Sequence, residues 1–312
     1  MHSVWFSIVK AGICECAQNE TCENQTLCIV HFYFSYGIFP IKSWKFHGRF
    51  GHILETSLAS KGYNVVKLPY PNERRNMTMK LAIKTCTLDM PYEQMLDFCV
   101  EQKIAAIEIG TGNWSGAPHC DLDLLVSDKT AREKWYDAMR EKGLELCALN
   151  CSGNPLAYEK DMDVTKKTFE LAHQLGVKKI VMMSGLPVGC EGDKTPVWIT
   201  TSWPPETQDI LDYQWNQVAI PAWKKLVKLA EDCGIERIAL ENHGMQLVYN
   251  PETLLRLREA VGPMIGMNLD PSHLFWMGGD PIEAARVLGE HGAIYHIHGK
   301  DSRPERRYWQ PN

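Results

Sequence analysis

From residue 80 onward, short apolar runs alternate with amphipathic stretches of helical length. The runs occupy residues 80–86 (KLAIKTC), 104–109 (IAAIEI), 144–150 (LELCALN), 179–184 (KIVMMS), 237–241 (RIALE), 264–270 (MIGMNLD) and 293–298 (AIYHIH). They lack a clean apolar–polar alternation, as expected of parallel strands buried on both faces. Helical patterns fill the gaps at 91–102, 129–142, 164–175, 215–233, 251–260 and 281–290. Pro91, Pro251 and Pro281 open three of them, where a missing N–H costs nothing. Gly143, Gly176, Gly234, Gly262 and Gly292 follow as stop signals. In the first helix Met95, Phe98 and Cys99 share one face.

Seven strands with intervening helices form a series of right-handed βαβ units, for which the usual closed solution has eight. After the seventh run come 14 polar residues, GKDSRPERRYWQPN, with neither helical nor strand period. The expected fold is therefore α/β, a (β/α)₈ TIM barrel truncated before its eighth βα unit. The first strand would then lack its closing neighbour and expose edges prone to aggregation. An open doubly wound sheet is the rival, but no glycine-rich phosphate loop follows the first strand. One connection, residues 185–213, is long and holds Trp198 and Trp203. Loops of that kind commonly cover barrel active sites, so it is expected to act as a lid meeting an apolar or sugar face.

Composition changes near residue 77. Six of the nine Phe lie in the first 50 residues, and the first Asp of the chain is Asp89. Residues 1–76 carry eight Lys or Arg against five Glu, so +3, which leaves −8 for the remainder of a chain of net charge −5. This first quarter is expected to be an N-terminal extension, disordered or foreign to the native domain, with 77–312 as the barrel. Met77 and Met79 are then alternative starts, and a small zinc or redox appendage on Cys14, Cys16, Cys22 and Cys28 is the competing reading. The other seven cysteines, scattered without metal-finger spacing, read as buried, reduced thiols of a cytoplasmic enzyme. No stretch approaches the roughly 20 apolar residues that span a bilayer. The negative charge gives no general attraction to nucleic acid or anionic membrane; Arg303, Arg306 and Arg307 form the one local basic patch. The partner is expected to be a small molecule, and a homo-oligomer is compatible with this composition.

Chemistry-bearing residues gather where a barrel places its active site, at the C-terminal ends of strands. The fifth run ends in Glu241 within LENHG, with His243 two residues on. The sixth ends in Asp270 within NLDPSH, with His273 three residues on. The seventh ends YHIHGKD, giving His296, His298, Lys300 and Asp301, and the second carries Glu108 in IEIG. A carboxylate at the end of an apolar strand is costly to bury unless paired or metal-bound. Three successive strands ending in Glu, Asp and His supply the mixed O and N donors that suit one divalent ion, Mn²⁺, Co²⁺, Mg²⁺ or Zn²⁺. His296 and His298 share a strand face by the period of two, so one can bind metal while the other packs beside it. Lys300 could hold a substrate hydroxyl or phosphate as a point charge.

The ordered set LENHG, NLDPSH and HIHGKD, with IEIGTGNW and LNCSGNPL before it, resembles the sugar phosphate isomerase/epimerase family, a branch of the xylose-isomerase-like barrels. The resemblance covers about 79–301. It implies a divalent-metal-dependent isomerase or epimerase that moves a proton of a sugar or sugar phosphate through an enediolate. It assigns Glu241, Asp270 and His298 as metal ligands and Glu241 and His273 as catalytic groups. His243, His273, Lys300, Glu108 and His296 would bind substrate. A fourth ligand, a Glu on the eighth strand that is also the second proton carrier, has no counterpart here. The alternatives are a polyol or inosose-type dehydratase on the same scaffold, and a catalytically impaired barrel that only binds sugar. DNA cleavage of the related endonuclease kind requires more ligands and a less acidic barrel.

Overall fold

The computed structural model describes residues 27–30 and 80–302. Eight parallel strands form one closed barrel in sequence order: β1 (Leu27–Val30), β2 (Lys80–Lys84), β3 (Ala106–Gly110), β4 (Glu145–Asn150), β5 (Lys179–Met182), β6 (Arg237–Glu241), β7 (Ile265–Leu269) and β8 (Ile294–Gly299). The seven strands expected from the apolar runs are β2 to β8. Around them lie α1 (Tyr92–Glu101), α2 (Leu122–Ser127), α3 (Lys129–Glu141), α4 (Glu159–Leu175), α5 (Glu206–Asp212), α6 (Ile220–Asp232), α7 (Pro251–Val261), α8 (Pro271–Met277) and α9 (Pro281–Glu290). A π-helical stretch, Tyr213–Ala219, joins α5 to α6.

No βα unit follows β8 among the described residues. The place beside β8 is nevertheless filled. The backbone of Leu27–Val30 pairs in parallel with β2 on one side and with β8 on the other. The edges expected to stand open are thus hydrogen-bonded, by a strand from the stretch whose composition looked foreign. The four N-terminal cysteines as metal ligands, the alternative starts and the basic Arg303, Arg306 and Arg307 all lie outside the described side chains.

Burial follows the strand period. Ile107, Ile109, Leu149, Ile180, Met182, Ile238, Leu240, Ile265, Met267 and Leu269 face outward into one continuous apolar core against the helices. The inward positions low in the barrel are small: Ala82, Ala106, Ala148, Val181 and Ala239. Gly266 belongs with them, because a Cβ there would stand 2.3 Å from the Tyr295 ring. Small residues leave the interior room for a polar layer above them, made of Lys84, Glu108, Asn150, Glu241, Asn268, His296 and His298, all buried. This layering positions the site.

Local signals set the helix ends. Gly176 caps α4 in the left-handed conformation at φ 72°. Asn250 and Thr253 form a reciprocal cap on α7. In α1, Met95, Leu96 and Cys99 are buried and Phe98 packs half-buried beside them. The sequence pattern missed α2, α5 and α8, each of six or seven residues and too short to show an amphipathic period. With α5 occupying Glu206–Asp212, seven residues of the long connection expected after β5 are helical, about two turns. Gln214 fastens it, its side-chain Nε2 donating to the carbonyls of Pro187 (2.9 Å) and Val197 (2.7 Å). Within this loop Trp203 is exposed, whereas Trp198 packs edge-on against Tyr249. The seven described cysteines are all free thiols; Cys99, Cys120 and Cys151 are buried as expected, and Cys190 is exposed.

Candidate metal centre

Glu241 closes β6, Asp270 caps α8 immediately after β7, and His298 lies one residue before the end of β8. Single donor atoms of these three residues all lie within 4.8 Å of one another. The cluster expected from three successive strand ends therefore exists as a geometric unit. All three residues are buried.

Their second atoms are held. Asp270 Oδ1 accepts from the backbone N–H of Ser272 (2.9 Å) and from its hydroxyl (2.6 Å). Asn242 ties the ends of β6 and β7 together: its Nδ2 donates to the Asp270 carbonyl (2.9 Å) and its Oδ1 accepts from the Asp270 N–H (2.7 Å). Asp270 Oδ2 is buried and, among the described residues, is paired with the Lys300 ammonium at 2.9 Å, with His273 Nε2 3.4 Å away. A buried carboxylate oxygen that converges with a Glu and a His and is balanced by an ammonium is one that a divalent cation could take over. The donor set fits a divalent ion, and Glu241, Asp270 and His298 would hold it.

His273 stands over this cluster. Trp276 Nε1 lies 3.1 Å from His273 Nδ1, and an indole N–H can only donate, so Nδ1 accepts and Nε2 carries the hydrogen. That hydrogen points to Glu241 Oε1 at 3.1 Å. Lys300 Nζ is 3.0 Å from the same nitrogen, and its protons serve Asp270 instead. His243, half-buried, packs its ring 4.0 Å from that of His273. Burial and then the neighbouring His273 push the His243 imidazole below its ordinary pKa.

Below lies a second carboxylate–histidine group. Glu108, fully buried, accepts from Asn150 Nδ2 (2.6 Å), His296 Nε2 (2.9 Å) and His298 Nε2 (3.1 Å). Burial alone would raise the Glu108 carboxyl; the His298 charge and the two imidazole hydrogen bonds overcome it and hold it well below the usual range. Glu241 behaves alike: burial opposes ionisation, and His298 with the bonds from His273 and His298 prevails. Burial would likewise lower His298, but Glu108 and Glu241 flank it and push it up to about 9. His296, buried and near Lys179, falls to about 3.

The structure thus brings Glu241, Asp270, His273, His298 and Lys300 into one site, with His243 at its margin. Glu108 and His296, expected to touch substrate, are instead closed off and bonded to each other beneath His298, an arrangement that orients a ligand imidazole. Sequence reasoning missed several participants. Lys84, at the end of β2, is buried in register with Glu108. The strand-end rule that found Glu241 applies equally to KLAIKTC and points to it. Asn268 Nδ2 lies 3.0 Å from His298 Nδ1. Ser272 and Trp276 act through short contacts within NLDPSHLFW that no spacing rule reveals.

A family model described as "Xylose isomerase-like TIM barrel" matches residues 96–310. The uncharacterized protein YfiH of Bacillus subtilis (strain 168) is 57% identical over 235 residues, 73% of this chain and 74% of that protein. Among solved structures, the probable 3-DHS dehydratase AsbF of Bacillus anthracis superposes with a TM-score of 0.50 at 18% identity, covering 70% of this chain and 72% of that one. A D-tagatose 3-epimerase-like protein gives 0.49 at 20% identity, over 70% and 75% of the two chains.

Proposed function

The chain belongs to the xylose isomerase-like TIM-barrel family, and on that premise we propose a divalent-metal-dependent isomerase or epimerase that acts on a sugar or sugar phosphate by proton transfer at the carbon beside a carbonyl, through an enediolate. The observation that carries this reading is the convergence of Glu241, Asp270 and His298, whose single donor atoms lie within 4.8 Å of one another. A divalent ion held by these residues would supply Lewis-acid polarisation of the substrate carbonyl. The working domain on this reading is 77–312, its ring closed by the backbone of Leu27–Val30.

Glu241 serves as the base. It stays ionised at neutral pH, and its Oε1 accepts from His273, a bond that a substrate oxygen can take over. His273, with its tautomer set by Trp276, then donates Nε2–H to that oxygen. Lys300 places a positive charge beside the same point and holds a hydroxyl or phosphate. His243 closes the margin of the site. Among the described residues, Glu108 is fully engaged by Asn150, His296 and His298, which leaves Glu241 as the carboxylate available for proton transfer. A second reading, dehydration of a polyol or inosose-type ketone, draws on Lys300, whose ammonium could protonate a departing hydroxyl. The free thiols at Cys99, Cys120, Cys147 and Cys151 suit a cytoplasmic, reducing location.

The test is incubation of the metal-loaded full chain with a panel of aldoses, ketoses, their phosphates and inososes in deuterated water. Deuterium entering the carbon beside the carbonyl, with interconversion of aldose and ketose, supports the isomerase. Loss of water without exchange into recovered substrate supports the dehydratase. A chain that binds sugars and exchanges no deuterium is a binding barrel and ends the catalytic reading.

A further inference from the structure

Beside the strand-end site lies a second hollow of about 350 Å³. That is near the lower end of the roughly 300–1,000 Å³ typical of small-molecule sites. Its walls come from the loop after β5, the π-helical stretch before α6, and the segment from Gln246 into α7. Trp198 and Trp276 form an aromatic rim that both spaces share. Trp198 borders the hollow and stands 6.5 Å, edge to face, from Trp276, which bonds to His273. Gly244 makes this closeness possible: a Cβ there would lie 2.2 Å from the end of the Trp276 indole and 3.3 Å from that of Trp198. The two spaces are thus neighbours served by one loop, with His243 on one side and Gln246 on the other.

The lining has a definite chemical character. Trp198 and Tyr249 cross at 5.4 Å and supply aromatic surface. Gln214 borders the hollow with no solvent exposure; its Nε2 is spent on loop carbonyls, and its Oε1 has no partner. The Trp198 Nε1–H is likewise buried and unpartnered. Thr200, Ser202 and Gln208 add uncharged hydroxyl and amide groups to the lining, which both give and accept hydrogen bonds and so match a ligand rich in hydroxyls. The charged residues of the lining are Glu252 and Arg256, of opposite sign and one helical turn apart, with the guanidinium stacked 4.3 Å over Trp215. The hollow is therefore close to neutral.

We propose that this hollow is a subsite for a neutral, hydroxyl-rich ring carried by the reacting sugar, so that the natural substrate is a glycosylated or similarly extended sugar and not a small sugar phosphate. This rests on the sugar-transforming reading above and names its substrate class. Aromatic faces flanked by uncharged donors and acceptors recognise such rings by stacking and bidentate hydroxyl bonding.

Calorimetric titration of the full chain, with and without Mn²⁺, tests it using maltose, cellobiose and sucrose beside glucose and glucose 6-phosphate. At least one disaccharide should bind ten times more tightly than either monosaccharide. Trp198→Ala should remove that tenfold advantage while the Mn²⁺ affinity stays within twofold. Should Trp198→Ala fail to fold, Tyr249→Leu carries the same expectation. Preference for glucose 6-phosphate, equal binding of all five, or no disaccharide binding to a chain that takes up Mn²⁺ overturns the subsite and leaves the proposed reaction standing. A disaccharide bound in a Trp198-dependent way by a chain that takes no Mn²⁺ supports the subsite and counts against the metal-dependent reaction.

Discussion

Two carboxylate–histidine groups share His298, and their difference shows how one barrel separates binding from support. In the lower group both Glu108 oxygens are occupied, by Asn150 on one and by His296 and His298 on the other. In the upper group Asp270 Oδ2 is balanced by the Lys300 ammonium, and Glu241 accepts from His273, partners that a cation and a substrate could displace. The residue types are alike and all are buried. What distinguishes ligand from support is how the carboxylates are held: Glu108 is fixed by a buried amide and two buried imidazoles, although His296 Nδ1 itself has no hydrogen-bond partner among the described residues.

The largest effect that breaks this comparison is removal of an upper carboxylate. Asp270→Ala and Glu241→Ala should each abolish Mn²⁺ binding in calorimetry, a loss beyond the roughly 10–100-fold that outer partners cost. Glu108→Gln should stay within that 10–100-fold range, because His298 keeps a hydrogen-bonding neighbour while losing its charge partner. Glu108→Ala should act mainly on folding. It strips a buried ion pair of one member, so denaturant unfolding should show a loss of about 3–5 kcal/mol. If Glu108→Gln abolished Mn²⁺ binding as fully as Asp270→Ala, the distinction between the two groups would fail.

The pH dependence sharpens the same point. Despite its burial, His298 is pushed up to about 9 by Glu108 and then Glu241. A metal must displace that proton, so apparent Mn²⁺ affinity should climb with pH, about tenfold per unit, and level off near 9. In the metal-free protein the sign is reversed. A raised histidine stabilises the fold fully below its unfolded value near 6.5, and that contribution is lost as pH rises through about 9. Titrations at pH 6, 7, 8 and 9 check the first, and unfolding over the same range checks the second. The smallest effect concerns His273. Trp276→Phe deletes the N–H that fixes its tautomer and should cost about 0.5–1.5 kcal/mol in kcat/KM with Mn²⁺ binding unchanged. Gly244→Ala should do the same by displacing the indole.

Much of this molecule was legible before the structure. Seven strands stood out because parallel barrel strands are apolar on both faces, and glycine and proline marked the helix ends. Glu241, Asp270 and His298 were legible because a polar residue that ends an apolar run has few reasons to be there. The closing strand Leu27–Val30 was not legible: LCIV is four residues long, and its place in the ring depends on partners some 50 and 270 positions away. The supporting part of Glu108 and His296 was hidden for a similar reason, since their bond joins residues 188 positions apart. The short helix α8, which turns His273 and Trp276 toward the centre, has only seven residues in which to show a period.

The central claim is that three strand ends form one divalent-metal site, and metal binding by the full chain tests it most directly. The metal-stripped protein should take up Mn²⁺ at a single saturable site in calorimetry, and folded Glu241→Ala and Asp270→Ala variants should show no such uptake. A folded parent that binds no Mn²⁺, or uptake that survives both substitutions, would contradict the account.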